Sequence, residues 1–397
     1  MKKNELKLLA SRAVNKIGNV VYDYGNSSWI VSLGPMAQRY LGYYQLAENL
    51  ISLFLNPIGG AVADRFKRRK ILLITDFVGG LMCLLLALIG TDHIMLYGLI
   101  SVNAILAISH AFSGTSFRSY VVTLIEKDRL VDFNAKLEVI SQIISISSPL
   151  LAFLFVDRFG LKPTLLLDSL TFFLSFALLF SIRQDEKHVE QTREAASVGA
   201  ILRDIREGLL FIFHEKEVFF LLVVAALVNF FIAAYNYLIP FSNHLFSNSS
   251  SYATLLSMGA AGSILGALFA KKLFQNSHTS LLLSLALSGM GLALITPLAL
   301  FGLPAIIISI GNLIFECFLT IFNIHFFSVV QKKVPNELLG RVFSSIFTVA
   351  VIFMPLATSL MTALPFSVHI LTFAVLGLAI LLMSSLAFLY SRLNLNE

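Results

Sequence analysis

The chain of 397 residues contains twelve long apolar segments, and this feature limits its possible folds more than any other. A helix that crosses a bilayer needs about 20 mostly apolar residues. In lipid, backbone polar groups must be bonded within one helix or in a closed barrel, and these segments lack the alternation of barrel strands. We therefore predict an all-α membrane protein with twelve transmembrane helices. The predicted spans are 17–37, 41–62, 71–90, 94–123, 137–157, 162–182, 218–241, 251–271, 279–301, 304–331, 341–363 and 366–391.

The composition excludes most soluble classes. The chain is 57% hydrophobic and only 13% charged, whereas a soluble domain has about a quarter of its residues charged. The two cysteines, Cys83 and Cys317, both lie in apolar segments and form neither a disulfide framework nor a zinc pattern. We predict no metal and no cofactor.

The positions of the basic residues predict the orientation. If the N-terminus is cytoplasmic, 25 of the 29 Lys and Arg residues fall on inner segments and three on outer loops, while Arg118 lies within helix 4. Such a bias is the positive-inside pattern, and it places both termini in the cytoplasm. The bias also explains the net charge of +6 without a nucleic-acid partner. We expect a monomer in the lipid bilayer.

One inner loop divides the chain. Residues 183–217 carry charges of both signs, and the spacing in 201–214 predicts a surface helix at the membrane. We predict an N-terminal six-helix bundle over 1–182, a cytoplasmic linker with this helix over 183–217, and a C-terminal six-helix bundle over 218–397.

Short matches suggest that the two halves are duplicated. Gly60-Ala61 and Gly266-Ala267 are 206 residues apart, and so are Ser148-Pro149-Leu150 and Met354-Pro355-Leu356. A repeat of six plus six helices implies a substrate held between two bundles that rock against each other.

Helix 2 runs into a loop with an acid among basic residues. Its sequence from Gly60 is Gly-Ala-Val-Ala-Asp-Arg-Phe-Lys-Arg-Arg. It resembles the signature Gly-x-x-x-Asp-Arg-x-Gly-Arg-Arg/Lys of the major facilitator superfamily, although Lys67 replaces the second glycine. A positive-inside cluster would explain the basic residues but not the acid. The positions that match are Gly60, Asp64, Arg65, Arg68 and Arg69.

The resemblance implies that this loop is a gate. The Asp64 carboxylate would sit against the positive N-terminal end of helix 11, near Gly340 and Arg341. The arginines would bridge to carboxylates at inner helix ends and release them when the inner side opens. The predicted gate partners are Arg118, Asp76 and Asp128.

The resemblance covers nearly the whole chain, and it is strongest to the bacterial branch that contains macrolide efflux pumps and the enterobactin exporter. The stretches 64–69, 202–211 and 334–343 carry it. It implies a multi-pass transporter of the bacterial cytoplasmic membrane that exports an amphipathic, drug-like compound in exchange for protons. An exporter or facilitator of an endogenous metabolite, such as a siderophore or a lipid, is the alternative.

Two other classes fit the sequence poorly. An intramembrane enzyme should show a set such as Gly-x-Ser-x-Gly or His-Glu-x-x-His, and ATP-driven transport would need a P-loop. The sequence has none of these patterns, so we predict that the chain is not an enzyme. A membrane scaffold would not need duplicated inner gates.

Ionisable residues at membrane depth are candidates for proton coupling. Glu316 lies near the middle of helix 10, and a polar stripe on the same face comprises Asn312, Thr320 and Asn323. We predict that the stripe faces the substrate cavity. The alternative is a protonated Glu316 that only joins two helices.

Asp23 is the second coupling candidate, in the inner third of predicted helix 1 and on the same face as Asn26. It would carry a proton, or it would pair with Lys16 or with a neighbouring helix. Asn26, together with Asn236 and Tyr237 on helix 7, completes the predicted cavity residues.

Overall fold

The fold consists of long helices. The structure is a computed structural model that describes residues 3–182, 206–207, 209–273, 278–335 and 339–394. The side chains of 57, 59–65, 127, 131, 272–273, 278, 339–341, 343–344 and 347 lie outside this description. Twelve long helices occur in the described part of the chain. They are α1 (Lys3–Val31), α2 (Ala37–Arg65), α3 (Arg68–Ala87), α4 (Asp92–Leu124), α5 (Leu130–Phe159), α6 (Leu161–Phe180), α7 (Lys216–Leu238), α8 (Ser251–Leu273), α9 (His278–Leu300), α10 (Ala305–Lys333), α11 (Leu339–Ala363) and α12 (Leu371–Asn394).

The helices have the length and composition of membrane spans. Within the described residues, nine are long and apolar enough to cross a bilayer, and Thr348–Ala363 in α11 is a shorter apolar helix. The prediction of an all-α membrane fold is confirmed. Of the predicted surface helix at 201–214, residues 201–205 lie outside the described part, and 209–214 are helical.

The first helix differs from its prediction. It begins at Lys3 and ends at Val31, so the predicted start at residue 17 is wrong. The early turns are amphipathic: Leu8 and Leu9 pack into a buried cluster, and the polar Ser11 is buried as well. A search for continuous apolar sequence misses such a helix because its inward face carries polar residues. Asp23 therefore lies in the second half of α1 rather than in its inner third.

The chain forms two compact units, 1–201 and 202–397. In the first unit α2 packs on α4, α3 packs on α4 and α6, and α1 packs on α5 and α6. In the second unit α8 packs on α10, α9 packs on α10 and α12, and α7 packs on α11 and, less extensively, on α12. The same helix pairs thus recur six helices later, as an internal repeat requires.

Glycines allow α8 and α10 to pack closely. A Cβ atom at Gly262 on α8 would collide with the backbone oxygen of Leu313, and one at Gly266 would collide with that of Cys317. The α8 and α10 backbones therefore touch directly, as small residues permit between membrane helices. This contact fixes α10, which carries Glu316.

Candidate functional site

Glu316 lies in the middle of α10 and is half-buried. The hydroxyl of Ser263 on α8 donates a 3.3 Å hydrogen bond to its Oε2 atom. Within the described part of the chain, no basic side chain forms an ion pair with this carboxyl group. The group therefore lies in a largely apolar helix with a single hydroxyl partner in that part.

Asn312, one turn before Glu316, is almost fully buried. Its Nδ2 atom donates to the carbonyl oxygen of Leu255 on α8 at 2.7 Å. Its Oδ1 atom accepts a 2.7 Å hydrogen bond from the hydroxyl group of Tyr235 on α7. Asn312 therefore joins three helices of its unit and has little surface left for a ligand.

Exposure rises along the rest of the predicted stripe. Thr320 is half-buried and Asn323 is exposed. On α7, Asn236 is exposed, whereas Tyr237 is fully buried. Glu316, Thr320, Asn323 and Asn236 therefore offer polar atoms at the surface of their unit.

The coupling candidate of the first unit has an acidic neighbour. Asp23 on α1 is exposed, and Glu48 on α2 is close enough to repel it electrostatically. Asn26 is fully buried and donates a 3.3 Å hydrogen bond to the hydroxyl oxygen of Tyr44 on α2. Asp23 and Asn26 therefore differ in environment, although the sequence placed them on one face. Sequence analysis had not connected Glu48 with Asp23.

The basic residues of the predicted gate bind helix ends. Arg68 donates to the carbonyl oxygen of Ser119 at 3.1 Å and to the hydroxyl of Thr123 at 2.6 Å, both near the end of α4. Arg69 donates to the carbonyl oxygens of Leu179 and Phe180 at the end of α6. A cation at a helix C-terminus is stabilised by the helix dipole. The side chains of Asp64, Arg65 and Arg341 and the surroundings of Gly60 lie outside the described part.

The predicted gate partners occupy different environments. Asp128 and Arg118 are exposed. Asp76 lies near the middle of α3 and is buried, so its predicted position at an inner helix end is wrong. Polar side chains on α1 and α6 donate hydrogen bonds to Asp76 and so lower the cost of burying it.

Sequence analysis missed the buried polar cluster around Asp76. Ser175 on α6 donates a 2.5 Å hydrogen bond to Oδ2, and Asn15 on α1 donates a 3.0 Å hydrogen bond to Oδ1. Ser11 and Asn15 lie four residues apart and so share one face of α1. This spacing was the sequence feature that could have predicted a polar cluster. It was overlooked because the predicted helix began after both residues.

Metal binding finds no support among the described residues, where no group of three or more His, Cys, Asp and Glu side chains could hold a metal ion. The site is thus a set of single carboxyl groups, amides and hydroxyls on membrane helices.

Long apolar helices in two units with matching helix pairs define a multi-pass membrane protein with an internal repeat. The sequence profile of the Major Facilitator Superfamily matches residues 22–358. The chain belongs to this superfamily and is a membrane transporter of its type.

Individual relatives are more distant. An uncharacterized MFS-type transporter of Bacillus subtilis (strain 168), YkuC, is 24% identical over 239 residues, which cover 58% of this chain and 53% of YkuC. The match thus spans about half the length of that relative. A bacterial homologue of the iron transporter ferroportin in an inward-facing state has a TM-score of 0.75 at 15% identity and 98% coverage of both chains. The nucleoside transporter NupG has a TM-score of 0.74 at 13% identity and 99% coverage of both chains. At these identities the two structures share the fold alone.

Proposed function

We propose that the chain is a secondary active transporter that exports amphipathic compounds in exchange for protons by alternating access. The observation that carries this proposal is Glu316, a half-buried carboxyl group in mid-helix whose hydrogen-bond partner is Ser263 at 3.3 Å. A charged side chain at the bilayer centre costs about 2.5–3.5 kcal/mol on insertion scales. Proton binding removes this charge, and proton release restores it.

A carboxyl group that is neutral in one conformation and ionised in another converts a proton gradient into directional work. About 100 mV of membrane potential adds ~2.3 kcal/mol for each charge that is moved across the bilayer. Glu316 would carry the proton in the second unit. Asp23, which is exposed and close to Glu48, would be the coupling group of the first unit.

The substrate would contact polar groups on otherwise apolar helices. Thr320, Asn323 and Asn236 reach the surface of the second unit. Amide and hydroxyl groups within an apolar lining match a compound that is itself partly polar and largely apolar. The more buried Asn312 and Tyr237 would support this lining from behind, and Asn26 would play the same part in the first unit.

The direction of transport and the gate rest on the likeness to macrolide efflux pumps and the enterobactin exporter. In this proposal Asp64, with Arg65 and Gly60, closes the inner side, and Arg68 and Arg69 anchor the adjoining helix ends. The protein would work as a monomer in the bacterial cytoplasmic membrane.

Transport by the purified chain in proteoliposomes tests the proposal. Ethidium and erythromycin serve as amphipathic probes, and a catecholate siderophore represents an endogenous metabolite. We expect accumulation of an amphipathic probe that requires an imposed pH gradient. Transport that persists at equal pH on both sides, with no accumulation, would favour a facilitator. Transport of the siderophore alone would replace the proposed substrate class.

A further inference from the structure

We propose that Asp76 is a proton-binding site inside the first unit, served by the hydroxyl chain Ser175–Ser11 and by a polar cavity that it shares with Arg12 and His110. This site goes beyond the proposed function, because it requires neither a particular substrate nor coupling through Glu316.

Asp76 is a buried carboxyl group with no directly bonded counter-ion among the described residues. Its relative exposure is 4%. Arg12 on α1 is close enough to attract it electrostatically, but within the described part of the chain no ion pair joins the two groups. The guanidinium of Arg12 instead lies over the ring of Phe117, 5.1 Å from its centroid. A buried carboxylate without a bonded cation is costly, so proton uptake is the available way to lower this cost.

A small cavity connects these groups. Asp76, Arg12, Asn15 and His110 all line it. Its volume of about 30 Å³ exceeds the ~10–15 Å³ that a cavity needs to hold one water molecule. The Oδ1 atom of Asn15 is buried and has no hydrogen-bond partner among the described residues. It is therefore an acceptor for a water molecule or for a protonated acid.

The hydroxyl chain has a defined direction when Asp76 is ionised. Ser175 donates its proton to Oδ2 of Asp76 at 2.5 Å. The hydroxyl oxygens of Ser11 and Ser175 are 2.8 Å apart. Since the proton of Ser175 is already used, Ser11 must donate to Ser175. Both serines are buried, so this chain excludes bulk water.

The same atoms also satisfy the protonated acid. If Oδ2 of Asp76 carries a proton, it donates to Ser175, and Ser175 rotates its hydroxyl to donate to Ser11. Alternatively, the Asn15 amide turns over and presents Oδ1 to a proton on the Oδ1 atom of Asp76. The site thus provides hydrogen-bond partners for both charge states without a change in helix packing.

Few titratable or charged groups face this site. Arg12 faces the site from α1 and His110 faces it from α4. Arg118 is close enough to repel Arg12 electrostatically. From α6 the facing group is the neutral Ser175. A single positive neighbour therefore opposes proton uptake most directly, and Asp76 is the only acid that lines the cavity among the described residues.

Infrared difference spectroscopy of the purified full-length chain in lipid tests the proposal. For the wild type and for Asp76→Asn, the spectrum at alkaline pH is subtracted from the spectrum at acidic pH. The difference spectra of the two proteins are then compared. We expect the wild type to show the carbonyl band of one protonated carboxyl group that Asp76→Asn lacks. Asp168→Asn is the matched control, because Asp168 is equally buried in this unit but does not line the cavity. Its spectra should retain the Asp76 band. Identical differences in the wild type and Asp76→Asn would overturn the proposal.

A second variant keeps the proposal testable if Asp76→Asn fails to fold. Ser175→Ala leaves the carboxyl group but removes the hydrogen bond to Oδ2. We expect the carbonyl band to move to higher frequency. A band at the wild-type frequency would show that the titrating carboxyl group is not bonded to Ser175, and the proposed site would then be wrong. Neither outcome depends on transport, so failure of this proposal is distinct from failure of the proposed function.

Discussion

The Nδ2 atom of Asn312 on α10 donates a 2.7 Å hydrogen bond to the carbonyl oxygen of Leu255 on α8. The first unit has an equivalent bond, from Asn103 on α4 to the carbonyl oxygen of Tyr44 on α2, at 3.0 Å. Each donor is a buried asparagine, and each bond joins the second and fourth helices of its unit. The internal repeat therefore extends from helix pairing to individual hydrogen bonds.

Asn312→Ala should lower the stability of the protein. Interhelical hydrogen bonds in membranes contribute about 0.6 kcal/mol on average and up to ~1.7 kcal/mol, and this variant also leaves Tyr235 without its acceptor. We expect a lower unfolding temperature in detergent, measured by thermal denaturation. Asn323→Ala is the control because Asn323 is exposed on the same helix. Equal effects of the two variants would contradict a stabilising role for the buried amide.

Gly262→Ala should loosen the contact between α8 and α10. The added methyl group would overlap the backbone oxygen of Leu313, and a backbone atom cannot move aside as a flexible side chain can. We expect a loss of about 1–3 kcal/mol, as for other overpacked positions.

Gly114→Ala on α4 is the matched control for this contact. A Cβ atom at Gly114 would meet no atom within 4 Å, and alanine is favoured over glycine in a helix by up to about 1 kcal/mol. Thermal unfolding should separate the two variants in opposite directions. A Gly262→Ala protein as stable as the wild type would show that the two backbones are not in contact.

Asp64→Asn should impair transport while leaving the protein folded and substrate binding largely intact. The physical reason is the loss of the charge that we propose holds the inner gate at a helix N-terminus. Asp132→Asn is the control, since Asp132 is an exposed acid at the start of α5 that pairs with Lys136. Initial transport rates in proteoliposomes measure both effects. Wild-type transport by Asp64→Asn would exclude the gate.

Single cysteines along α10 should react in the order of their exposure. Asn323→Cys should be labelled fastest, Thr320→Cys more slowly and Asn312→Cys slowest, because exposure falls in that order. If the stripe contacts substrate, saturating erythromycin should slow labelling at Thr320→Cys and Asn323→Cys. The background requires replacement of Cys83 and Cys317. If substrate changes the labelling rate at neither Thr320→Cys nor Asn323→Cys, the substrate binds elsewhere.

The sequence was sufficient to predict the membrane fold, since long apolar segments leave helix as the available structure. It misplaced the start of α1 because Ser11 and Asn15 point into the unit, where hydropathy counts them as breaks. The same two residues belong to the polar cluster around Asp76. Because the predicted helix began after them, the cluster was missed as well. Side-chain partners such as Ser263 with Glu316 depend on which helices meet, and neither periodicity nor residue spacing predicts that pairing.

The most direct test of proton coupling is the accumulation of ethidium or erythromycin in proteoliposomes by Glu316→Gln under an imposed pH gradient. Glutamine keeps the shape of the side chain and an acceptor for Ser263, but it cannot change its charge. We predict that accumulation driven by the gradient is lost, while exchange of the same compound at equal pH continues. Accumulation by Glu316→Gln at the wild-type rate would contradict proton coupling through this residue.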